Sequence, residues 1–221
     1  MGPFYFDINI PETNHRRHGI LANLAELCFR MRSYDDSLKY CLEARSEKPG
    51  FAEVLGLEAQ VHIIKGDFAA AEQLLLEAKA LSPDLPHLWY HLGRCYLGQE
   101  NYEQARKAFM VEREESPDMA SVHHFLGKIA LKKKDFKDAE ESLQRAARLN
   151  PCNLDLLNEL ALVLEYNGKI SAAIDIFESM GRLDPSIVGL QSKIDELSMR
   201  KRGEEKEEVY TRQEINQISC T

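Results

Sequence analysis

Apolar and small residues near the middle of the chain have the spacing of two successive helices. In the stretch 89–98 they recur every three or four residues, which is the spacing of one helix face. After the polar sequence QENY at 99–102, a second set of small and large residues recurs with the same spacing. Small side chains let two helix axes approach closely, so the segment predicts a helix hairpin. The residues that define it are Trp89, Leu92, Gly93, Tyr96, Ala105 and Phe109.

The hairpin pattern recurs along the chain at a constant interval. Proline lacks an N–H and disfavours helix in the residue before it, so regularly spaced prolines mark regularly spaced helix ends. Five of the eight prolines form a series with an interval of 34 residues. We therefore predict five copies of one supersecondary unit, numbered below by position from the first residue of each copy. The prolines are Pro49, Pro83, Pro117, Pro151 and Pro185, and the repeats are 18–51, 52–85, 86–119, 120–153 and 154–187.

Residues that follow these prolines include candidate helix caps. Asp84, Asp118 and Ser186 each come directly after one of them. Because the side chains of Asp and Ser accept hydrogen bonds from free backbone N–H groups, we predict that these residues start the first helix of the next repeat.

The motif resembles the tetratricopeptide repeat (TPR), which reads W-x2-L-G-x2-Y, then A, F, A and a terminal P. Repeat 86–119 departs from it mainly at Glu112, position 27, where a small residue is usual. The resemblance covers residues 18–185 and implies an all-α, right-handed superhelical solenoid of about five TPR hairpins with a concave inner face. The stretches HLGRCY and FLGKIAL are also similar to repeats of ciliary-coat (BBSome) and cell-cycle ligase subunits, mainly through consensus positions.

The segments outside the repeats have other patterns. Residues 186–200 keep apolar side chains on one helix face and polar ones on the other, which predicts a C-terminal capping helix. Residues 201–221 are charged and poor in core-forming side chains, which predicts a disordered tail. Apolar residues alternate from Phe4 to Ile10, so residues 1–17 are interpreted as an extended leader that covers the first repeat or lies in the groove. A frayed terminus is the alternative.

Composition narrows the class of partner. The chain has 36 acidic and 28 basic residues, and its net charge of −8 argues against nucleic-acid binding, which needs a basic face. No segment has the uncharged length of a membrane span, so membrane insertion is not expected. Five cysteines without a CxxC pair are typical of reduced thiols in the cytoplasm, with the nucleus or a cilium as other locations.

Candidate catalytic chemistry is sparse in this sequence. It contains none of the GxSxG, GxxxxGK or HExxH patterns, so we predict a non-enzymatic protein with no catalytic residues and no cofactor. His87 and His91 are four residues apart on one helix face, and His124 lies on the first helix of the next repeat. Such a trio could bind zinc or copper, but no cysteine or carboxylate joins it at ligand spacing, so no metal is predicted.

The concave groove of a TPR protein is the expected binding surface. The family resemblance implies that positions 2, 5, 9, 12 and 13 of each first helix line it. In this chain those positions concentrate aromatic and basic residues midway along the array, which favours a protein or peptide partner with acidic and apolar side chains. The predicted groove residues are His87, Tyr90, Arg94, His124, Lys128, Lys132, Asn158 and Tyr166.

Three function classes remain open at this point. The leading hypothesis is an adaptor or scaffold that binds a protein segment in the groove. The second is a structural subunit of a larger multiprotein complex that contacts its neighbours through the solenoid ends. The third is an enzyme or metal-dependent protein that uses the histidine trio. An adaptor of the chaperone-tail type is disfavoured, because Ala22 and Glu26 replace the groove Lys and Asn that such repeats carry.

Overall fold

The computed structural model describes residues 17–203, and these residues are mainly helical. Most of the predicted leader and most of the predicted tail lie outside this range, and Arg17, the last residue of the predicted leader, begins the first helix. Ten helices form five consecutive pairs, and residues 190–203 form a further helix, α11. The pairs are α1 (Arg17–Arg30) with α2 (Tyr34–Glu47), α3 (Ala52–Lys65) with α4 (Phe68–Leu81), α5 (Leu88–Gly98) with α6 (Tyr102–Glu115), α7 (Ala120–Lys132) with α8 (Phe136–Leu149), and α9 (Leu154–Tyr166) with α10 (Ile170–Leu183).

The chain divides into two compact units, Met1–Glu112 and Arg113–Thr221. In the N-terminal unit, one apolar cluster joins α1, α2 and α3, and a second joins α3 to α4, α5 and α6. In the C-terminal unit a single cluster runs from α7 through α8, α9 and α10 to Leu197 of α11. Within each unit, therefore, every first helix that follows a hairpin shares a core with it.

Small residues at position 8 let the two helices of a hairpin approach closely, as the sequence predicts. A Cβ atom added to Gly93 would lie 2.7 Å from two ring carbons of Phe109, which is fully buried. A Cβ atom on Gly127 would lie 2.7 Å from Cγ of Leu143. In both hairpins the large residue at position 24 fills the space that the missing side chain leaves.

The predicted caps after the prolines are wrong. Helix α5 begins at Leu88, four residues after Asp84, and α7 begins at Ala120, two residues after Asp118, with Met119 at its N-cap. The extra residues form a turn, and Asp118 instead lies 2.8 Å from an Arg145 nitrogen.

The observed caps mostly precede the second helix of a hairpin. Asp67, Asn101 and Asp135, all at position 16, each accept a hydrogen bond from the backbone N–H three residues later. Asn153 does the same at the start of α9. An acceptor at this place satisfies one of the N–H groups that a helix start leaves without a partner.

The C-terminal capping helix differs in its bounds from the prediction. Residues 184–189 form a turn in which Ser186 donates to Asp184, so the helix begins at residue 190 rather than 186. Gly189 has a φ of 81°, a left-handed conformation that glycine adopts without steric cost. The helix continues to residue 203, the last residue described, and so includes the first three residues of the predicted tail.

Buried carboxylates link consecutive hairpins within each unit. Glu58 of α3 is buried, and one oxygen lies 2.8 Å from a guanidinium nitrogen of Arg45 in α2. Glu140 of α8 accepts from the Lys169 ammonium at 2.6 Å and from the Asn167 amide at 2.8 Å. Burial raises the pKa of the Glu140 carboxyl, but its hydrogen bonds and the Lys169 charge outweigh burial, so the pKa lies below its ordinary value.

Candidate functional site

The first helix of the third repeat, α5, starts on a buried carboxylate. Glu112 of α6 is fully buried, and its Oε1 lies 2.8 Å from Nδ1 of His87. Its other oxygen accepts from the backbone N–H of Tyr90 at 3.1 Å. Glu112 thus takes the place of a side-chain cap, which His87 itself does not provide. His87 has a φ of 58°, a left-handed conformation that is costly for a residue with a Cβ atom.

Three side chains of α5 lie against one another. The Tyr90 ring meets the rings of His91 and Phe109 edge-on, with centroids 5.3 and 6.1 Å apart. The guanidinium carbon of Arg94 lies 5.8 Å from the centre of the Tyr90 ring, within the range of a cation–π contact. Of the predicted groove residues in the N-terminal unit, Tyr90 and Arg94 therefore contact each other on α5, whereas His87 precedes the helix and pairs with Glu112.

His91 adds a buried atom without a partner to this group. Its Nδ1 is buried and makes no hydrogen bond. Burial, together with the charges of Arg94 and His87, lowers the pKa of His91 to about 4. The ring is therefore neutral at physiological pH.

In the C-terminal unit, α7 and α9 meet around a carboxylate that the sequence prediction missed. Glu159 of α9 lies 2.8 Å from Nε2 of His124 and 3.5 Å from Nζ of Lys128. Burial raises the pKa of Glu159, but the hydrogen bond from His124 and the charges of His124 and Lys128 outweigh it, so the pKa lies below its ordinary value. His124 is mostly withdrawn from solvent by this contact, whereas half of the Lys128 side chain remains exposed.

The remaining predicted groove residues of this unit are exposed. Lys132 at the end of α7 and Asn158 on α9 are both open to solvent. One turn after Asn158, Leu162 is 49% exposed. Tyr166 stacks on Phe136 with ring centroids 3.6 Å apart, and much of its ring stays exposed.

Helix α11 borders α9 on its other side and adds two cations. Glu165 of α9 lies 3.2 Å from Nζ of Lys193 and 3.8 Å from a guanidinium nitrogen of Arg200. Burial lowers the pKa of Lys193, but the hydrogen bond and charge of Glu165 outweigh it and the pKa is raised. The exposed side of α9 thus has basic side chains on both neighbouring helices. We call the surface formed by α7, α9 and α11 the first-helix face of the C-terminal unit.

Only one buried polar residue of this site has a clear signal in the sequence. Position 27 is small or apolar in every repeat but the third, where it is Glu112, and the sequence does not show which residue Glu112 contacts. Position 6, which holds His91 and Glu159, is polar in three of the five repeats and gives no comparable signal.

The histidine trio is not arranged as a metal site. His87 and His124 each contact a carboxylate of their own unit, as described above. Within residues 17–203, no group of three His, Cys, Asp or Glu side chains is placed to hold a metal ion. Burial raises the pKa of the Cys41 and Cys95 thiols to about 12, so both pack as protonated, apolar groups.

Comparison with protein families identifies the repeat. Three family models, each described as a tetratricopeptide repeat, match residues 22–86, 62–129 and 120–151. The chain belongs to the tetratricopeptide repeat family. The matching models are consecutive and overlapping, so together they cover the TPR array from the first repeat to the end of the fourth. They assign no subfamily. A comparison with curated protein sequences finds no significant match.

Solved structures with the same fold are TPR proteins of low sequence identity. PilF of Pseudomonas aeruginosa matches with a TM-score of 0.73 at 15% identity, over 86% of this chain and 87% of that one. MamA of Desulfovibrio magneticus RS-1 matches with a TM-score of 0.67 at 19% identity, over 78% and 97%. YrrB, described as a TPR protein with an unusual peptide-binding site, matches with a TM-score of 0.61 at 14% identity, over 78% and 89%. These similarities confirm the all-α TPR fold.

The helices of this TPR chain are short. Among those that the structure describes, none has the length and apolar character needed to cross a membrane.

Proposed function

We infer that this TPR chain is a non-enzymatic adaptor that binds a protein segment on the first-helix face of its C-terminal unit. TPR hairpins serve as scaffolds for protein–protein interaction, and their side chains at the exposed positions of the first helices differ from repeat to repeat. The partner segment carries acidic and apolar side chains. The observation that carries this proposal is the exposed Leu162 on a helix flanked by basic residues.

An apolar anchor and nearby cations have distinct roles in such a site. Leu162 offers apolar area that a partner side chain can cover, which is how a small number of residues supplies most of an interface's affinity. The ammonium of Lys128 lies beside the carboxylate of Glu159, which already offsets part of its positive charge. Glu159 is three residues before Leu162 on α9. Lys132 makes no ion pair with residues 17–203 and offers its full charge to a carboxylate of the partner.

Asn158 adds a group that recognises the backbone of a bound segment. Its amide offers both donors and an acceptor, and it is exposed one turn before Leu162. An amide of this kind can hydrogen-bond a peptide unit whatever its side chain, so it fixes the position of an extended segment while Leu162 and Lys132 select its sequence.

Charge reversal on this face tests the proposal. The double variant Lys128→Glu/Lys132→Glu is compared with Lys137→Glu, an exposed lysine on the second helix of the same hairpin. Both baits and the wild type are used in pull-downs from native extract, read by mass spectrometry, with circular dichroism to show that the fold is intact. We expect one set of proteins to be lost from the double variant and kept by Lys137→Glu.

A quantitative step then assigns the contact. A peptide from the protein that is lost is titrated against wild type, Leu162→Asp and Lys137→Glu. We expect at least tenfold weaker binding for Leu162→Asp, because the apolar anchor of the site becomes a charge that repels acidic residues. If the double variant and Leu162→Asp retain every partner at wild-type levels, the binding site is elsewhere and the proposal is wrong.

A further inference from the structure

Helix α1 carries an apolar stripe that is exposed to solvent. Ile20, Leu27 and Met31 are 41%, 53% and 71% exposed, and Leu24 between them is partly exposed. These four residues are spaced by four, three and four, so they lie in one row along the helix. The row is separate from the buried side of α1, where Leu21 and Ala25 pack against α2 and α3.

The same positions are covered in the later repeats whose preceding hairpin lies in the same unit. Ile20, Leu24 and Leu27 are positions 3, 7 and 10 of the first repeat. In the second, third and fifth repeats, eight of the nine residues at these positions share an apolar cluster, or the ion pair of Glu58 with Arg45, with the preceding hairpin. The first repeat thus keeps the apolar surface of an internal repeat without a preceding hairpin in residues 17–203. The covered counterparts are Val54, Glu58 and Val61, Leu88, Leu92 and Cys95, and Leu156, Leu160 and Val163.

The other end of the described array is different. The exposed residues of α11 include Gln191, Asp195, Glu196 and Arg200, so its outward side is polar except for Met199. A head-to-tail contact between α1 of one molecule and α11 of another would therefore set an apolar row against charged groups, which is unfavourable. Because α11 offers no matching apolar row, a contact of the α1 row with itself is favoured.

We propose that two copies of this chain associate through α1, with their apolar rows packed against each other by two-fold symmetry. In an antiparallel pair of α1 helices, Leu24 of each copy lies opposite Leu27 of the other, and Ile20 lies opposite Met31. The rows of the two antiparallel copies are in register because the spacing of four, three and four residues is the same in both directions. Each α1 then receives a helix where an internal repeat receives the preceding hairpin. This contact uses a different face from the proposed peptide site, and neither depends on the other.

The size of the row sets the strength of the dimer. It spans about 17 Å of helix, since each residue rises about 1.5 Å. A single pair of helices of this length buries less surface than a standard stable interface, so the dimer is reversible and forms in the micromolar range or above. Association must therefore be measured as a function of concentration.

Light scattering and sedimentation equilibrium of the full chain test this proposal, from low micromolar to several hundred micromolar. We expect a concentration-dependent shift from the mass of one chain towards two. The variant Leu27→Asp/Met31→Asp should weaken dimerisation at least tenfold, because two carboxylates enter the contact in each copy. The control Leu76→Asp changes a leucine of similar exposure on α4 and should dimerise as the wild type does.

Each variant is first checked for an intact fold. Circular dichroism and thermal unfolding of each variant show whether the hairpins are intact, and the milder variant Leu27→Ala should weaken the dimer without adding charge. Monomers at all concentrations overturn the proposal and leave the row to residues 1–16 or to a different protein. A dimer that Leu27→Asp/Met31→Asp does not weaken also overturns it, because the contact then lies elsewhere.

Discussion

Protonation of His91 is expected to destabilise this protein in mild acid. The ring is neutral in the folded state because burial and the charges of Arg94 and His87 lower its pKa to about 4, from an ordinary value of 6.5. A group that binds protons less readily in the folded state favours unfolding wherever the unfolded chain is protonated. The stabilising effect of a neutral His91 is therefore complete above pH 6.5, falls as the pH drops below that value, and reaches its minimum near pH 4.

The size of this effect follows from the two pKa values. Integrating the difference in bound protons from about pH 7.5 to about pH 5 gives a loss of about 2 kcal/mol in the free energy of unfolding. Glu159 and Glu140 have lowered pKa values, so their contributions are lost only below the ordinary glutamate range and change little in this interval. The contribution of His91 is therefore the difference in pH dependence between the wild type and a variant that lacks this ring.

Urea unfolding of the wild type and of His91→Leu measures the effect. The variant places in the third repeat the residue that Leu57 supplies at the same position of the second, and it removes the unpaired Nδ1. Trp89 is the single tryptophan, packs against the core of the N-terminal unit and reports unfolding by fluorescence. We expect the wild type to lose about 2 kcal/mol more than the variant between about pH 7.5 and about pH 5. Parallel pH dependences would show that His91 titrates normally and would refute the argument from burial.

Two further substitutions test contacts of the third repeat by the same urea assay. Glu112→Ala should lower the free energy of unfolding by about 2 to 3 kcal/mol, because the N–H of Tyr90 loses its buried acceptor. Glu112→Gln should cost less, because its amide oxygen keeps an acceptor for this hydrogen bond. Equal costs for the two variants would contradict a capping role. Gly93→Ala should destabilise by about 1 to 2 kcal/mol through collision with Phe109 despite a better helix propensity, whereas Gly19→Ala, with nothing within 4 Å, should be neutral or stabilising. Equal effects of the two glycine changes would mean that the hairpin has room for a Cβ atom at Gly93.

The sequence alone predicts the hairpins because their determinants are local or repeated. Gly93 and Phe109 recur as a small and a large residue in other repeats, and the constant interval separates this signal from chance. The helix starts are harder to predict. Asp84 follows a proline as a cap would, yet α5 begins four residues later, where Glu112 of another helix satisfies the backbone. When the capping group comes from the other helix of the hairpin, the sequence next to the capped helix does not reveal it.

The candidate site was predictable only as a face. Repeat positions indicate that Lys128 and Asn158 are exposed on first helices, and the structure agrees. They do not indicate that Glu159 lies beside Lys128 and His124 and neutralises part of the predicted basic stripe. That contact depends on how far one repeat is displaced along its neighbour and on side-chain rotamers, which neither periodicity nor composition determines.

The buried carboxylates between hairpins restrict the order of the repeats. Glu58 is buried against a neighbour that supplies Arg45, and Glu140 against a neighbour that supplies Lys169 and Asn167. No other repeat has a cation at the position of Lys169, so a different hairpin after Glu140 would leave this carboxylate buried without that partner, which costs several kcal/mol. Glu58 is less restrictive, because Lys79 and Arg113 hold the position of Arg45 in the second and third repeats. Recombination between repeats can therefore lengthen or shuffle this array only where each buried carboxylate keeps a cation beside it.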